Sequence, residues 1–379
     1  MSDNQLQPTT MTDRERFLRY TSFASVDRWP RWEWYFRADT TERWRDQGLP
    51  VDVPRQTSWI DYFGLDHGGP WIEDPLPVKV GVNLAPLPSF YGEVIEQTDN
   101  YTIRRDAWGA TEKSLRRGVQ SIPQYLGFPI TDRASWLEYR KRLNPADPGR
   151  YPAKWEQHKA AWLSRDFPTT LYVPGWYGVL RKMMGVETLS VNFYDQPALV
   201  GEICEYWTDF VLQATAKLMD EAPVDYIMLW EDLAYKTGPL LSPEMFRHYM
   251  APQYRRLIDH LRRKGVQHFM VDSDGNIDLI TPLWLEVGVD MLGPYEVTAG
   301  MDVVKVAREY RELLIVGGID KMELAKGTPA IEAEVLRRIS PLLDRGGYFP
   351  TLDHSTIPEL SLADYGYYRQ FMAKVLGSR

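Results

Sequence analysis

Asp225-Tyr226-Ile227-Met228-Leu229-Trp230-Glu231-Asp232 is an apolar run that stops on two carboxylates. The pattern returns along the chain. His268-Phe-Met-Val271 runs into Asp272 and Asp274, and Val289-Asp-Met-Leu292 leads to Tyr295 and Glu296. Leu313-Leu-Ile-Val-Gly-Gly318 reaches Asp320, and Tyr348-Phe-Pro-Thr-Leu352 reaches Asp353 and His354. Most of the segments between them have helical periodicity. Short apolar runs alternating with helices predict a parallel sheet. A polar residue at the end of each strand gathers those residues on one rim, which is how a (β/α)8 TIM barrel builds an active site.

Outward from this stretch, Thr169-Thr-Leu-Tyr-Val-Pro-Gly-Trp176 reads as an earlier strand ending near Trp176 and Tyr177, followed by a long helix over 196–221. Ser242-Pro243-Glu244 starts a helix well, with Ser as cap and Pro at the first position; Pro252 interrupts it and Gly265 ends it. Further helices are expected over 277–287, 303–310, 321–325 and 328–339, with Ser361 capping the last. Near the start, Thr12 and Glu15 have capping-box spacing, and 27–35 reads as a first strand. A helical turn over 40–47 stopped by Gly48, a Pro/Gly-rich stretch over 48–90 with a short helix at 58–62, a hairpin over 93–117 turning at Asp99-Asn100, and helices over 132–143 and 153–165 complete the first half. The expected organisation is a disordered tail over 1–10 and one domain over 11–379. Within that domain an N-terminal α/β cap spans 48–165 and regular βα units span 166–379.

The formal net charge of −8 gives no basic footprint for nucleic acid. The single cysteine, Cys204, excludes an intrachain disulfide and points to a reducing, cytoplasmic compartment. The first residues carry no apolar signal core, and no run approaches the ~20 apolar residues of a membrane span.

Among the rim residues, Asp272-Ser273-Asp274-Gly275 is the most informative. Two carboxylates two apart on an extended segment point the same way, and Gly275 allows a sharp turn. Asp274 could instead cap the helix beginning at Ile277. His354, at the end of the last strand, adds an imidazole, and first-row metals favour a His-plus-carboxylate set. Of the adjacent Glu231 and Asp232, at most one can enter the mouth, because neighbours on a strand face opposite ways. Glu296 and Asp320 have similar status, while Lys321 can be a solvated helix-start residue. Trp176, Tyr177, Trp230 and Tyr295 could line the mouth or simply pack the core.

The segment Leu241-Ser-Pro-Glu-Met-Phe-Arg-His-Tyr-Met-Ala-Pro-Gln-Tyr-Arg-Arg-Leu-Ile258, with Ala299-Gly-Met-Asp-Val303, Gly317-Gly-Ile-Asp-Lys321 and Gly346-Gly-Tyr-Phe-Pro-Thr-Leu-Asp-His354, resembles the uroporphyrinogen decarboxylase superfamily. Thr12-Asp-Arg-Glu-Arg-Phe-Leu18 and Asp27-Arg-Trp-Pro30 extend the resemblance to the start of the chain. It implies a (β/α)8 barrel and one of two chemistries. The decarboxylases hold substrate carboxylates with an Arg-Gln-Ala-Gly-Arg segment after the first strand; only Arg37 stands there in this chain. The cobalamin-dependent methyltransferases of the superfamily hold zinc with a His-x-Cys-Gly segment and a later Cys. Here Asp272-Ser-Asp274-Gly275 stands at the first place and His354 at the second.

The expectation is a metal-dependent methyltransferase that moves a methyl group from an O-methyl or N-methyl small molecule to a corrinoid protein. Zinc would sit on Asp272, Asp274 and His354. Glu231, Glu296 and Asp320 would be the catalytic acids, with Trp176, Tyr177, Trp230, Tyr295, Lys321 and Arg37 at the substrate. No Asp-x-His-x-x-Gly segment is present, so cobalamin would come on a partner protein. A second copy in a homodimer is a further candidate partner; nucleic acid and membrane are not. The alternatives are a metal-free decarboxylase or lyase of a small carboxylate or tetrapyrrole, using the same acids as proton donors, and a barrel that only binds a ligand.

Overall fold

In the computed structural model, which describes residues 10–54, 57–116 and 123–377, the chain opens with helix Asp13–Thr21. Thr12 caps it by accepting the Glu15 N–H. The expected tail lies outside the described residues except for Thr10. The hairpin expectation around Asp99-Asn100 holds and extends to four antiparallel strands in sequence order. These are β1 (Val94–Gln97), β2 (Tyr101–Arg105), β3 (Thr111–Leu115) and β4 (Gln124–Gly127).

A second sheet carries the apolar runs. It contains β5 (Thr170–Pro174), β6 (Tyr226–Trp230), β9 (His268–Asp272), β10 (Met291–Gly293), β11 (Leu314–Val316) and β12 (Tyr348–Phe349). A small hairpin, β7 (Ala234–Tyr235) with β8 (Gly238–Pro239), intervenes after β6. The spatial order is β12-β11-β10-β9-β6-β5, all parallel, so this is an α/β fold on a parallel sheet. Lys79 forms a parallel bridge to Thr170, and Thr170 N–H donates to Val78 O at 2.9 Å, so a further segment runs beside β5. Residues 27–35, expected as the first strand, enter no described ladder. The Glu33 carboxylate accepts the Leu352 N–H at 2.9 Å, which holds this segment beside the end of β12 through a side chain rather than backbone pairing.

Alternation along the strands separates two apolar cores. Tyr226, Met228, Met270, Met291, Leu314, Val316 and Phe349 face inward and pack with Trp32, Phe17 and Tyr20. The sheet curves so strongly that Phe17 touches both Tyr226 of β6 and Phe349 of β12, with ring centroids 5.4 and 6.3 Å away. This contact plugs the end where the strands begin. The outward residues, among them Leu171, Ile227, Leu229, Val271 and Ile315, pack against the helices.

The helices depart from expectation where a backbone group is lost or diverted. The 196–221 helix breaks at Thr215, whose hydroxyl donates to Val211 O, leaving Pro197–Ala214 and Ala216–Glu221. Before Pro252, which lacks an N–H, Phe246–Met250 widen into a π-helical turn. The expected 277–287 helix shortens to Thr281–Glu286, because Pro282 suits a first turn rather than an interior. β5 ends at Pro174, close to the expected point, and Trp176 and Tyr177 open helix Trp176–Met184. No described helix is long and apolar enough to cross a membrane.

Candidate active site

β6 and β9 run side by side with Trp230 paired to Asp272, and the inward face of both strands continues into the residues that follow. Asp272 is the last residue of β9 on the Met270 side. Beyond it, Asp274 again points into the mouth. On β6 the chain places Asp232, not Glu231, on this side. Asp232, Asp272 and Asp274 each offer a carboxylate oxygen, all within 4.8 Å of one another. His354, carried by the loop after β12, brings Nε2 to 3.4 Å from Asp274 Oδ2.

Backbone geometry fixes this group. Asp232 sits at φ 45°, a left-handed conformation unusual for a residue with a side chain. The Arg181 guanidinium donates to its carbonyl at 2.6 Å. Gly275 has φ +84°, and a Cβ there would lie 2.8 Å from the backbone of Ala234, so the turn after Asp274 passes against the β7–β8 hairpin as only glycine can. The Gly275 N–H donates to Glu296 at 2.9 Å, tying Glu296 to the same turn. Asp274 does not cap a helix: the next one starts at Thr281 and has no side-chain cap.

An aromatic wall from the first part of the chain closes over the acids. Trp71 Nε1 donates to Asp272 Oδ2 at 3.0 Å. Trp34 stacks on Trp71 with centroids 3.5 Å apart and on the His354 ring at 5.5 Å. Tyr172, the inward residue in the middle of β5, is 38 % exposed although its neighbours Leu171 and Val173 are buried. The inner face of the sheet therefore opens to solvent at this level.

The electrostatics are those of a crowded acidic site. Burial, then the charges of Asp232 and Asp274, push the Asp272 carboxyl well above the usual range, with the Trp71 N–H opposing. Burial and Asp274 raise Asp232 to about 6. Glu296 is raised by burial and by Asp274. For His354, burial pulls down, but the hydrogen bond and charge of Asp274 prevail and leave it above its ordinary value. Such a set binds protons or a cation to relieve its own repulsion.

The structure thus brings together Asp272, Asp274, His354 and Glu296, with Trp230 beside them. Lys321 stands close enough for its charge to be felt by Glu296 and His354, while its Nζ pairs with the fully buried Asp353 at 2.9 Å. The other sequence candidates go elsewhere. Glu231 faces the helix layer, where its two oxygens accept from Trp176 N (3.0 Å), Gly178 N (2.8 Å) and Tyr254 OH (2.6 Å). Strand alternation, which allows one of the pair inside, selects Asp232. Asp320 caps helix Lys321–Leu324 by accepting the Met322 N–H at 2.8 Å. Trp176 is buried with its indole on Thr208, Tyr177 is buried in the same helical turn, and Tyr295 packs in the outer core. The Arg37 guanidinium is held by both oxygens of Asp39, at 3.0 and 2.5 Å. Trp34, Trp71 and Tyr172 escaped the sequence reading. Period two on β5 marks Tyr172 as inward, but nothing local in the Pro/Gly-rich segment distinguishes Trp71.

A model of the uroporphyrinogen decarboxylase (URO-D) family matches residues 168–373. Among solved structures, a methyltransferase from Methanosarcina mazei superposes with TM-score 0.62 at 16% identity, covering 96% of this chain and 99% of that one. At that identity the likeness is one of fold. A B12-independent methionine synthase from Shewanella sp. W3-18-1 gives TM-score 0.33 at 14% identity, over 58% of this chain and 65% of that one, too little to carry an argument. Comparison with curated proteins finds no match. The match runs over more than half of the chain, from β5 to the last helix, and the chain belongs to the URO-D family.

Proposed function

We propose that this protein is a metal-dependent methyltransferase that removes a methyl group from an O-methyl or N-methyl small molecule and passes it to a corrinoid held by a separate protein. The observation that carries this reading is the convergence of Asp232, Asp272 and Asp274, with His354 against Asp274, under the aromatic wall. Three carboxylates and an imidazole are suitable donors for zinc or another first-row divalent ion. Their raised carboxyl pKa values reflect a surplus of negative charge that such an ion would offset. The expected metal set of Asp272, Asp274 and His354 gains Asp232.

A bound ion supplies Lewis acidity at the ether or amine end of the substrate. The chain's own residues do the rest. Trp71 fixes the orientation of Asp272 through its indole N–H. Glu296, whose carboxyl is pushed upward by burial and by Asp274, stands at the same turn as a candidate proton donor to the departing heteroatom. Trp34, Trp71 and Tyr172 provide flat walls that limit water.

The same proposal takes residues 11–379 as one domain, because Trp136 and Trp155 of the cap share a core with Leu171 and Ile227. It also includes closure of the sheet into a (β/α)8 barrel, with 78–80 and 30–36 as the two remaining strands. Trp32 supports this by stacking at 5.8 Å on Tyr226 and 4.6 Å on Phe349 across the inner face.

The test is elemental analysis of protein purified without chelators, followed by visible spectroscopy of a Co(I) corrinoid protein mixed with it and methylated substrates. One equivalent of metal and cobalt methylation are expected. Metal-free protein that cannot be loaded, with no methylation across a broad panel, would sink the proposal. The raised acids also suit a metal-free decarboxylase or lyase, in which Asp232 near 6 would be the proton donor; full activity in chelator-treated protein would favour that reading.

A further inference from the structure

One wall of the mouth is cationic. Helix Trp176–Met184 carries Arg181 and Lys182 onto Trp230, the residue paired with Asp272. The helix lies so close that a Cβ on Gly178 would sit 2.2 Å from the Trp230 carbonyl oxygen, which sets the helix backbone directly against the end of β6. Arg181 uses Nη1 on the Asp232 carbonyl and lies 3.5 Å from Asp232 Oδ2; its Nε and Nη2 have no described protein partner. Lys182 Nζ is 4.4 Å from the centre of the Trp230 ring and 5.8 Å from that of Trp108, which the turn between β2 and β3 holds above it. Among the described residues no carboxylate comes within ion-pair distance of it. Asp106, a nearby acid, is engaged by the N–H groups of Trp108 and Ala110.

A half-buried ammonium flanked by two indoles and lacking a counter-ion is an unusual arrangement, since buried lysines are almost always paired. Cation–π contact compensates for only part of the lost hydration. Burial lowers the Lys182 pKa and the neighbouring Arg181 charge adds to it, with Asp106 and Asp232 opposing from a distance. The mouth is therefore bipolar, with acids at the ends of β6 and β9 and, on the adjacent helix, Lys182 without an ion pair and Arg181 paired through Nη1 alone. Flat side chains (Trp230, Trp71 and Tyr172) lie along it.

We propose that Lys182 and Arg181, over Trp230, form a subsite for the carboxylate of the substrate, making that substrate a planar aromatic acid with a methoxy group at its other end. The choice of methoxy group rests on the methyltransferase reading; the carboxylate subsite does not. Arg37, the position at which the family resemblance would place such a contact, is held by Asp39, and the cations on this helix take the role instead.

The experiment compares 4-methoxybenzoate with its neutral isostere 4-methoxybenzamide, by calorimetry and tryptophan fluorescence on the full chain. The acid should bind at least about tenfold tighter, roughly 1.4 kcal/mol. Lys182→Met should abolish that preference by weakening the acid far more than the amide, while Lys182→Arg, which keeps the charge, should retain it. Thermal melts identify a variant that fails to fold, and Lys182→Arg then carries the comparison together with Arg181→Gln. Equal binding of acid and amide, no binding of either, or an unchanged preference in Lys182→Met would overturn the subsite. Cobalt methylation is read on the same samples. A carboxylate preference without methyl transfer removes the methyltransferase reading and keeps the subsite; methyl transfer without the preference does the reverse.

Discussion

Two groups of three aspartates stand at opposite ends of the strands. Asp13, Asp27 and Asp66 lie where the strands begin, beneath Phe17, and surround the fully buried Arg16. Asp232, Asp272 and Asp274 lie where the strands end. In the first group Arg16 reaches all three acids and Arg28 pairs a second time with Asp66, at 2.5 Å. In the second, among the described residues, the close basic groups are the His354 imidazole and an Arg181 that mainly holds a carbonyl. The lower group has two guanidiniums for its three carboxylates and ties helix Asp13–Thr21 to the rest of the chain. The upper group is left short of positive charge. That asymmetry matches the division of such sheets into a stability face and a reaction face.

The comparison breaks most readily at Arg16. Arg16→Met leaves buried carboxylates without a counter-ion and should cost about 3–5 kcal/mol in denaturant unfolding. If the loss is under ~1 kcal/mol, the lower group is not the anchor described here.

Next in size is Asp272→Asn. It removes a proposed ligand but also relieves repulsion, so stability should stay within about 1 kcal/mol of the parent or rise. Zinc affinity should fall by more than the roughly 10–100-fold typical of losing an outer partner. A destabilised variant with intact zinc binding would show that the upper group is structural after all.

Trp71→Phe keeps most of the wall and deletes only the N–H that holds Asp272. We expect zinc affinity to drop by about 10–100-fold, with the fold unchanged. Unaltered affinity would mean that the indole does not orient the carboxylate.

The smallest effect is a titration. At Asp27 burial raises the carboxyl, but the Arg16 guanidinium and the N–H groups of Met11 and Arg28 outweigh it and lower the pKa from 3.8 to about 2. The unfolded chain therefore takes up a proton at higher pH than the native one does. Asp27 contributes roughly 1–2 kcal/mol above pH ~4, lost as pH falls towards ~2. Asp27→Asn should flatten this segment of the stability curve; an unchanged slope would remove Asp27 from the lower network.

Local signals in the sequence were enough for the strand–helix alternation, the rim position of Asp272, Asp274 and His354, and the sharp turn at Gly275. Each depends on neighbours a few residues away: period-two burial, an acid at a strand end, a glycine where φ must be positive. The same signals left Glu231 and Asp232 undivided, because choosing between them requires knowing which face of β6 meets the helix layer. Tertiary packing decided that, by setting the first turn of Trp176–Met184 on Glu231 and leaving Asp232 in a left-handed conformation over the mouth. It also decided that Arg37 is held by Asp39, that Asp320 is a cap, and that Trp71 reaches across 201 residues to Asp272 with Trp34 stacked on it. Hydrophobic periodicity and turn chemistry are properties of short segments and survive in the bare sequence. Which polar side chain finds a partner, and which is left facing a cavity, depends on contacts between distant segments, and those exist only once the chain has folded.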